Sequence, residues 1–137
     1  MQLRPFAAPE SGTALATEPT AVRKGGRRLR RDLATGQVEL EFDWRPTGTR
    51  ILRTDTELGE ENVTRYRIVE GEPLSTTVTC DVDVWLARPG WNVRTRATST
   101  MTSDAERFTV TSTLEAFEDS VRVHARTWTH QFPRDGT

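Results

Sequence analysis

Apolar and polar residues alternate with a period of two along most of this chain. The clearest example has apolar residues at Val78, Cys80, Val82, Val84 and Leu86. The residues between them are Thr77, Thr79, Asp81, Asp83 and Trp85. A period of two predicts an extended strand with one buried face.

The segment from Ser75 to Phe132 is predicted to form four long strands in succession. Its breaks carry turn residues, at Arg88-Pro89-Gly90, Ser103-Asp104-Ala105 and Asp119-Ser120. Breaks this short join antiparallel neighbours. The segment therefore reads as a β-meander, and the rest of the chain is expected to complete its sheet.

A basic run and an acidic run come next to each other in the first half. Residues 23–31 read RKGGRRLRR and are predicted to contain the first strand, with Leu29 and Leu33 facing inward. After a turn at 32–36, the strand Gln37–Trp44 has four apolar residues on one face and carboxylates on the other. Cross-strand charge pairing explains both runs without a nucleic acid.

The stretch up to residue 74 is predicted to alternate turns and short strands. Turns are expected at 45–48 and at 56–61, around Gly59, with strands at 49–54 and 62–70. Together with the meander this makes an all-β domain of about eight mostly antiparallel strands. The pattern leaves open whether they close into an up-and-down barrel or fold over as a β-sandwich.

Composition limits the classes of protein that fit. The chain has 137 residues, 34% hydrophobic, and a net charge of −1. This length suits one domain at 23–137, preceded by an irregular, proline-containing arm at 1–22. The charge balance disfavours a nucleic-acid partner, and no apolar stretch suggests a membrane partner. With a lone cysteine and no signal-peptide pattern, we expect a cytoplasmic protein.

No catalytic constellation is found in the sequence. No serine lies in a G-x-S-x-G elbow. His124 and His130 share a face but stand about 20 Å apart on one strand, too far to bind one metal ion. Asp81 and Asp83 share a strand face, and solvated carboxylates that pair with Arg94 and Arg96 explain them better than acid–base catalysis. No cofactor or metal site is predicted.

Three aromatic residues fall on faces that are otherwise polar, and they are predicted to form an interaction surface: Trp85, Phe117 and Trp128. Several aromatic residues on one face suggest a covered surface. The alternative is a shift of face at a β-bulge.

Several phrases of the sequence resemble, in the same order, the C-terminal end of CocE/NonD-type hydrolases. These hydrolases are relatives of cocaine esterase and the Xaa-Pro dipeptidyl-peptidases. The phrases are Arg31–Gly36, Ile68–Ser75, Trp91–Arg96 and Trp128–Asp135, with Arg4-Pro5-Phe6 and Pro9-Glu10 before them. Such enzymes use a Ser-His-Asp triad on an α/β-hydrolase domain that is absent from this sequence, so no triad residue is carried over.

The resemblance implies a non-catalytic accessory module, whose partner would be a hydrolase domain or chain, or a second copy of itself. An alternative is a lipocalin-like barrel that binds a small apolar ligand. Its interior would be lined by Val38, Leu40, Phe42, Val82, Val84 and Phe108. A barrel enzyme that uses Asp81 or Asp83 is the third alternative.

Overall fold

A single antiparallel sheet of eight strands makes up the part of the chain that the structure describes. The computed structural model describes residues 12–20 and 23–135, without the side chain of residue 45. Within this part of the chain there is no helix, so no helix could cross a membrane. The strands are β1 (Thr17–Pro19), β2 (Gly26–Arg31), β3 (Gln37–Ile51), β4 (Thr56–Val69), β5 (Glu72–Arg88), β6 (Trp91–Ser103), β7 (Arg107–Glu118) and β8 (Val121–Pro133).

The strands from β3 to β8 lie side by side in chain order, which confirms the predicted all-β meander. Short β1 and β2 both pair with the outer edge of β3, β1 near its end and β2 near its beginning. Gly36 and Gly90 have φ of 72° and 74°, a left-handed conformation that glycine adopts without strain. These glycines allow the tight reversals before β3 and β6.

Residues 45–48, predicted to be a turn, lie inside β3. The register with β4 shifts between Trp44 and Thr47, which marks a β-bulge, and the strand then continues to Ile51. Pro46 is fully buried at the bulge. A bulge tolerates proline because it leaves a residue outside the ladder of backbone hydrogen bonds. The predicted strands Gln37–Trp44 and 49–54 are therefore largely one strand.

The turn predicted around Gly59 is also wrong, because residues 56–61 are the first part of β4. The chain reverses earlier, at residues 52–55, where Asp55 has a φ of 46°. The arm was expected to be irregular, yet Thr17–Pro19 forms β1. The remainder of the arm's interpretation falls partly on residues 1–11 and 21–22, outside the described residues.

The sheet is open. In the described residues β8 does not pair with β1 or β2, so the barrel alternative is not formed. Apart from Pro46, none of the described apolar side chains is buried, and Leu29 and Leu33, expected to face inward, are 71% and 84% exposed. The accessible surface is 10662 Å², against about 7,200 Å² for a compact monomer of this mass. Within the described residues the sheet therefore has no second layer.

Candidate interaction surface

One face of the sheet is apolar over six strands, from β3 to β8. Strand register brings alternate residues of each strand to this face, which we call the apolar face. Its larger side chains are Val38, Leu40, Phe42, Trp44, Leu58, Tyr66, Ile68, Val78, Val82, Val84, Leu86, Trp91, Val93, Met101, Phe108, Val110, Leu114, Trp128 and Phe132. All six residues predicted to line a ligand cavity lie here, but on an open sheet they enclose no interior.

Aromatic rings cluster at the β3–β4 end of the apolar face. Phe42 stacks against Trp44 with ring centroids 6.0 Å apart, and it meets Tyr66 edge-on at 5.9 Å. Trp44 and Tyr66 nevertheless remain 56% and 45% exposed. Large rings exposed at this level mark a surface that gains free energy when another layer covers it.

Several polar side chains near the middle of the apolar face bond to one another. The Thr64 hydroxyl donates to Cys80 Sγ, and Cys80 lies 3.7 Å from Asn62 Oδ1. The hydroxyls of Ser99 and Ser112 are 2.8 Å apart. Because these groups already have partners within the sheet, covering the face costs less desolvation free energy than it would for unpaired polar groups.

The three aromatic residues predicted as an interaction surface do not share a face. Trp128 pairs with Ser112 and lies on the apolar face, among its other large side chains. Trp85 and Phe117 lie on the opposite face, in one row with Arg94 between them. An interaction surface on the apolar face therefore includes Trp128 and excludes the other two.

Trp85 is accommodated by a glycine on the neighbouring strand. Its indole lies over Gly59, so that a Cβ on Gly59 would come within 2.1 Å of Trp85 Cζ2. The indole N–H points to Glu57 Oε1 at 3.4 Å. The pairing of a tryptophan with a cross-strand glycine explains why a glycine occurs inside β4.

The opposite face carries rows of ion pairs, and we call it the charged face. Three carboxylates of β3 are buried there: Glu39, Glu41 and Asp43 are 8%, 6% and 8% exposed. Glu41 accepts hydrogen bonds from Arg28 at 3.1 Å and from Arg65 at 3.0 Å. These arginines lie on β2 and β4, the strands on either side of β3. The predicted charge pairing between β2 and β3 is confirmed, and β4 contributes a second set of arginines that the sequence reading missed.

The other two buried carboxylates are also held by arginines, Glu39 by one on each neighbouring strand and Asp43 by a single arginine before β2. Glu39 accepts from Arg67 at 2.6 Å and from Arg30 at 3.3 Å. Asp43 accepts from Arg23 at 2.6 and 3.0 Å. Buried charges are tolerated only when they are paired in this way. The arginines at alternate positions of β2 and β4 were the sequence signal for this arrangement.

These contacts shift the pKa values of several groups. The hydrogen bond from Arg67 lowers the pKa of Glu39 below its ordinary value, against the opposing effect of burial. Burial lowers the pKa of Arg65, but its bonds to Glu41 and Asp81 outweigh that effect and raise the pKa overall. Both shifts favour the charged forms that the ion pairs require.

Asp81 and Asp83 are salt-bridged rather than poised for catalysis. Asp83 binds Arg94 and lies 3.2 Å from Arg96 Nε. Asp81 accepts from Arg65 and Thr98, each at 2.8 Å. The pairing with arginines that we favoured from the sequence is confirmed for Asp83, whereas Asp81 pairs with an arginine on the other neighbouring strand.

The two histidines and the surface depressions are the other candidate sites among the described residues. His124 and His130 both face the apolar side, opposite Ala116 and Val110, and no cluster of metal-ligating residues occurs in the described ranges. The depressions of the surface are open, and one on the apolar face near the β5–β6 hairpin is lined by Val84, Leu86 and Val93.

Comparisons with models of protein families, with curated proteins and with solved structures found no match.

Proposed function

We propose that this chain is a non-catalytic interaction module, an accessory domain of a hydrolase of the CocE/NonD type. The observation that carries the proposal is the uncovered apolar face. A sheet normally buries its apolar face against a second layer, and this chain supplies none in its described residues. A partner that covers the face would supply the layer.

The chemistry of the side chains supports binding rather than catalysis. The buried carboxylates of the charged face are held by arginines, and so are the proposed acid–base candidates, Asp81 and Asp83. A general acid or base must present its carboxylate to a substrate, whereas the oxygens of Asp81 and Asp83 are already engaged by side chains of neighbouring strands. The resemblance to the tail of the hydrolases points to an ester- or Xaa-Pro-cleaving enzyme as the protein that the module serves.

Two measurements test this function. The purified chain is expected to give no turnover of p-nitrophenyl acetate or of an Xaa-Pro p-nitroanilide above the buffer rate. A CocE/NonD-type hydrolase shortened by its β-rich C-terminal region is expected to form a complex with the chain on size-exclusion chromatography. Turnover by the chain alone, or no complex at any mixing ratio, would contradict the proposal.

A substitution on the apolar face sharpens the second measurement. Trp128→Arg places a charge on the apolar face and is expected to weaken the complex with the shortened hydrolase. Phe117→Arg places the same charge on the charged face, next to a row of existing ion pairs, and is the matched control. Equal effects of the two substitutions would mean that the hydrolase does not bind the apolar face.

A further inference from the structure

We infer that the apolar face is covered by a second copy of this chain, stacked face to face across a two-fold axis that runs along β5. This rests on the proposed function, because it names what covers the same face in the purified chain, and a hydrolase that binds the face would displace the second copy. Two sheets stacked in this way lie about 10 Å apart. An axis inclined by about 15° to β5 gives the crossing of about 30° that is usual for stacked sheets.

The size of the face suits such a dimer. From β3 to β8 it measures about 30 Å across the strands and about 30 Å along them, at ordinary strand spacing and rise. Each copy then covers about 900 Å², and the pair buries about 1,800 Å², within the range of stable interfaces. The chain's excess of accessible surface over a compact monomer is large enough to supply this area.

The contacts of the dimer follow from the position of its axis. A two-fold axis close to β5 places β4 over the partner's β6 and β3 over the partner's β7. Phe42 is brought near the partner's Ser112, where a small residue leaves room for the ring. Trp44 is brought near the partner's Leu114, and Tyr66 near the partner's Met101. The aromatic residues of one copy therefore meet both small and large apolar residues of the other.

The residues nearest the axis are themselves suited to burial. Val78, Cys80 and Val82 lie along the apolar face of β5, and each faces its own counterpart in the partner. Close to the axis these pairings hold whatever the crossing angle of the sheets. None of the three carries a charge, so the centre of the interface is free of the desolvation cost of ionised groups.

Sedimentation velocity over a range of protein concentrations tests the inference. We expect a dimer that dissociates on dilution. Val82→Asp, at the centre of the interface, is expected to abolish the dimer. Thr79→Asp lies on the same strand but on the charged face beside Arg65, and it is expected to leave the dimer intact. Circular dichroism establishes that both variants keep the sheet.

Alkylation is a second readout that needs no charged substitution. An N-ethylmaleimide adduct formed on Cys80 in dilute protein is expected to abolish the dimer, because it lies where the two copies meet. The double variant Thr79→Cys/Cys80→Ser carries its thiol on the charged face, and alkylation is expected to leave its dimer intact. This pair of proteins tests which face is shared.

Three results would overturn the second copy as occupant: a monomer at every concentration, a dimer that Val82→Asp leaves unchanged, or equal effects of alkylation at the two thiol positions. The proposed function fails separately. A monomer that binds the shortened hydrolase through Trp128 would overturn the dimer alone, whereas a dimer without hydrolase binding or with turnover of its own would overturn the hydrolase-accessory role.

Discussion

Arg65 is the arginine whose removal should cost the most stability. Its guanidinium donates to Glu41 at 3.0 Å and to Asp81 at 2.8 Å, and its side chain is 28% exposed. Arg65→Leu leaves the buried Glu41 carboxylate with only Arg28, whose side chain is 58% exposed. Losing one partner of a buried pair costs about 3–5 kcal/mol. Since Arg28 remains, we expect a loss of about 2–3 kcal/mol.

Two further variants separate this loss from a general effect of removing an arginine. Arg28→Leu removes a largely exposed partner of the same carboxylate and is expected to cost less than about 1 kcal/mol. Glu41→Leu/Arg65→Leu removes both members of the buried pair. We expect its stability to lie within about 1 kcal/mol of the wild type, because no unpaired buried charge remains.

Urea unfolding at neutral pH, followed by tryptophan fluorescence, measures these free energies. All variants are compared at one protein concentration, because association with a second copy adds to the apparent stability. The reasoning would be refuted if Arg65→Leu unfolded with the same free energy as Arg28→Leu, or if the double variant were no more stable than the single one.

Two further predictions concern the charged face. The pKa of Glu39 is lowered in the folded chain, so its stabilising contribution is complete above the ordinary pKa of 4.5 and is lost as pH falls through the folded-state pKa. Glu39→Gln should therefore make the free energy of unfolding, measured in urea, depend less on pH on the acid side. A pH dependence equal to that of the wild type would contradict this. Gly59→Ala forces the indole of Trp85 away from β4 and should cost about 1–3 kcal/mol in thermal or urea unfolding. Gly26→Ala, where an added Cβ meets nothing within 4 Å, is its control, and equal losses would show that the indole is not packed on Gly59.

The meander and its register could be predicted because they depend on local sequence. Alternation from Val78 to Leu86 assigned the faces of β5 correctly, and the breaks at Gly90 and Asp119 are the turns that were expected. In both cases residues that are close together in the sequence determine the structure, so it could be predicted without knowing which distant strand lies beside them.

The errors arise where a distant strand decides the local structure. Arg45-Pro46-Thr47-Gly48 is typical of a turn, but pairing with β4 on both sides of the bulge keeps it inside β3. Gly59 reads as a turn residue, but it lies in a strand because it accommodates Trp85 from β5. Neither partner is near in sequence.

The sequence pattern also could not predict that the sheet is open. Alternation states that one face is apolar, but it does not state what covers that face. Trp85 shares its strand face with Asp81 and Asp83, and Trp128 shares its face with Arg126 and His130, so the pattern grouped both with polar residues. The register of β8 on β7 and of β5 on β4 was needed to place them on opposite faces.

The reactivity of the Cys80 thiol with 5,5′-dithiobis(2-nitrobenzoate), measured over a range of protein concentrations, tests most directly whether the apolar face is covered in solution. Cys80 lies at the middle of that face on β5. If a second copy covers the face, the rate constant should fall as concentration rises, while the thiol of Thr79→Cys/Cys80→Ser on the charged face should react at one constant rate. A Cys80 rate constant that is the same at every concentration would contradict the covered face.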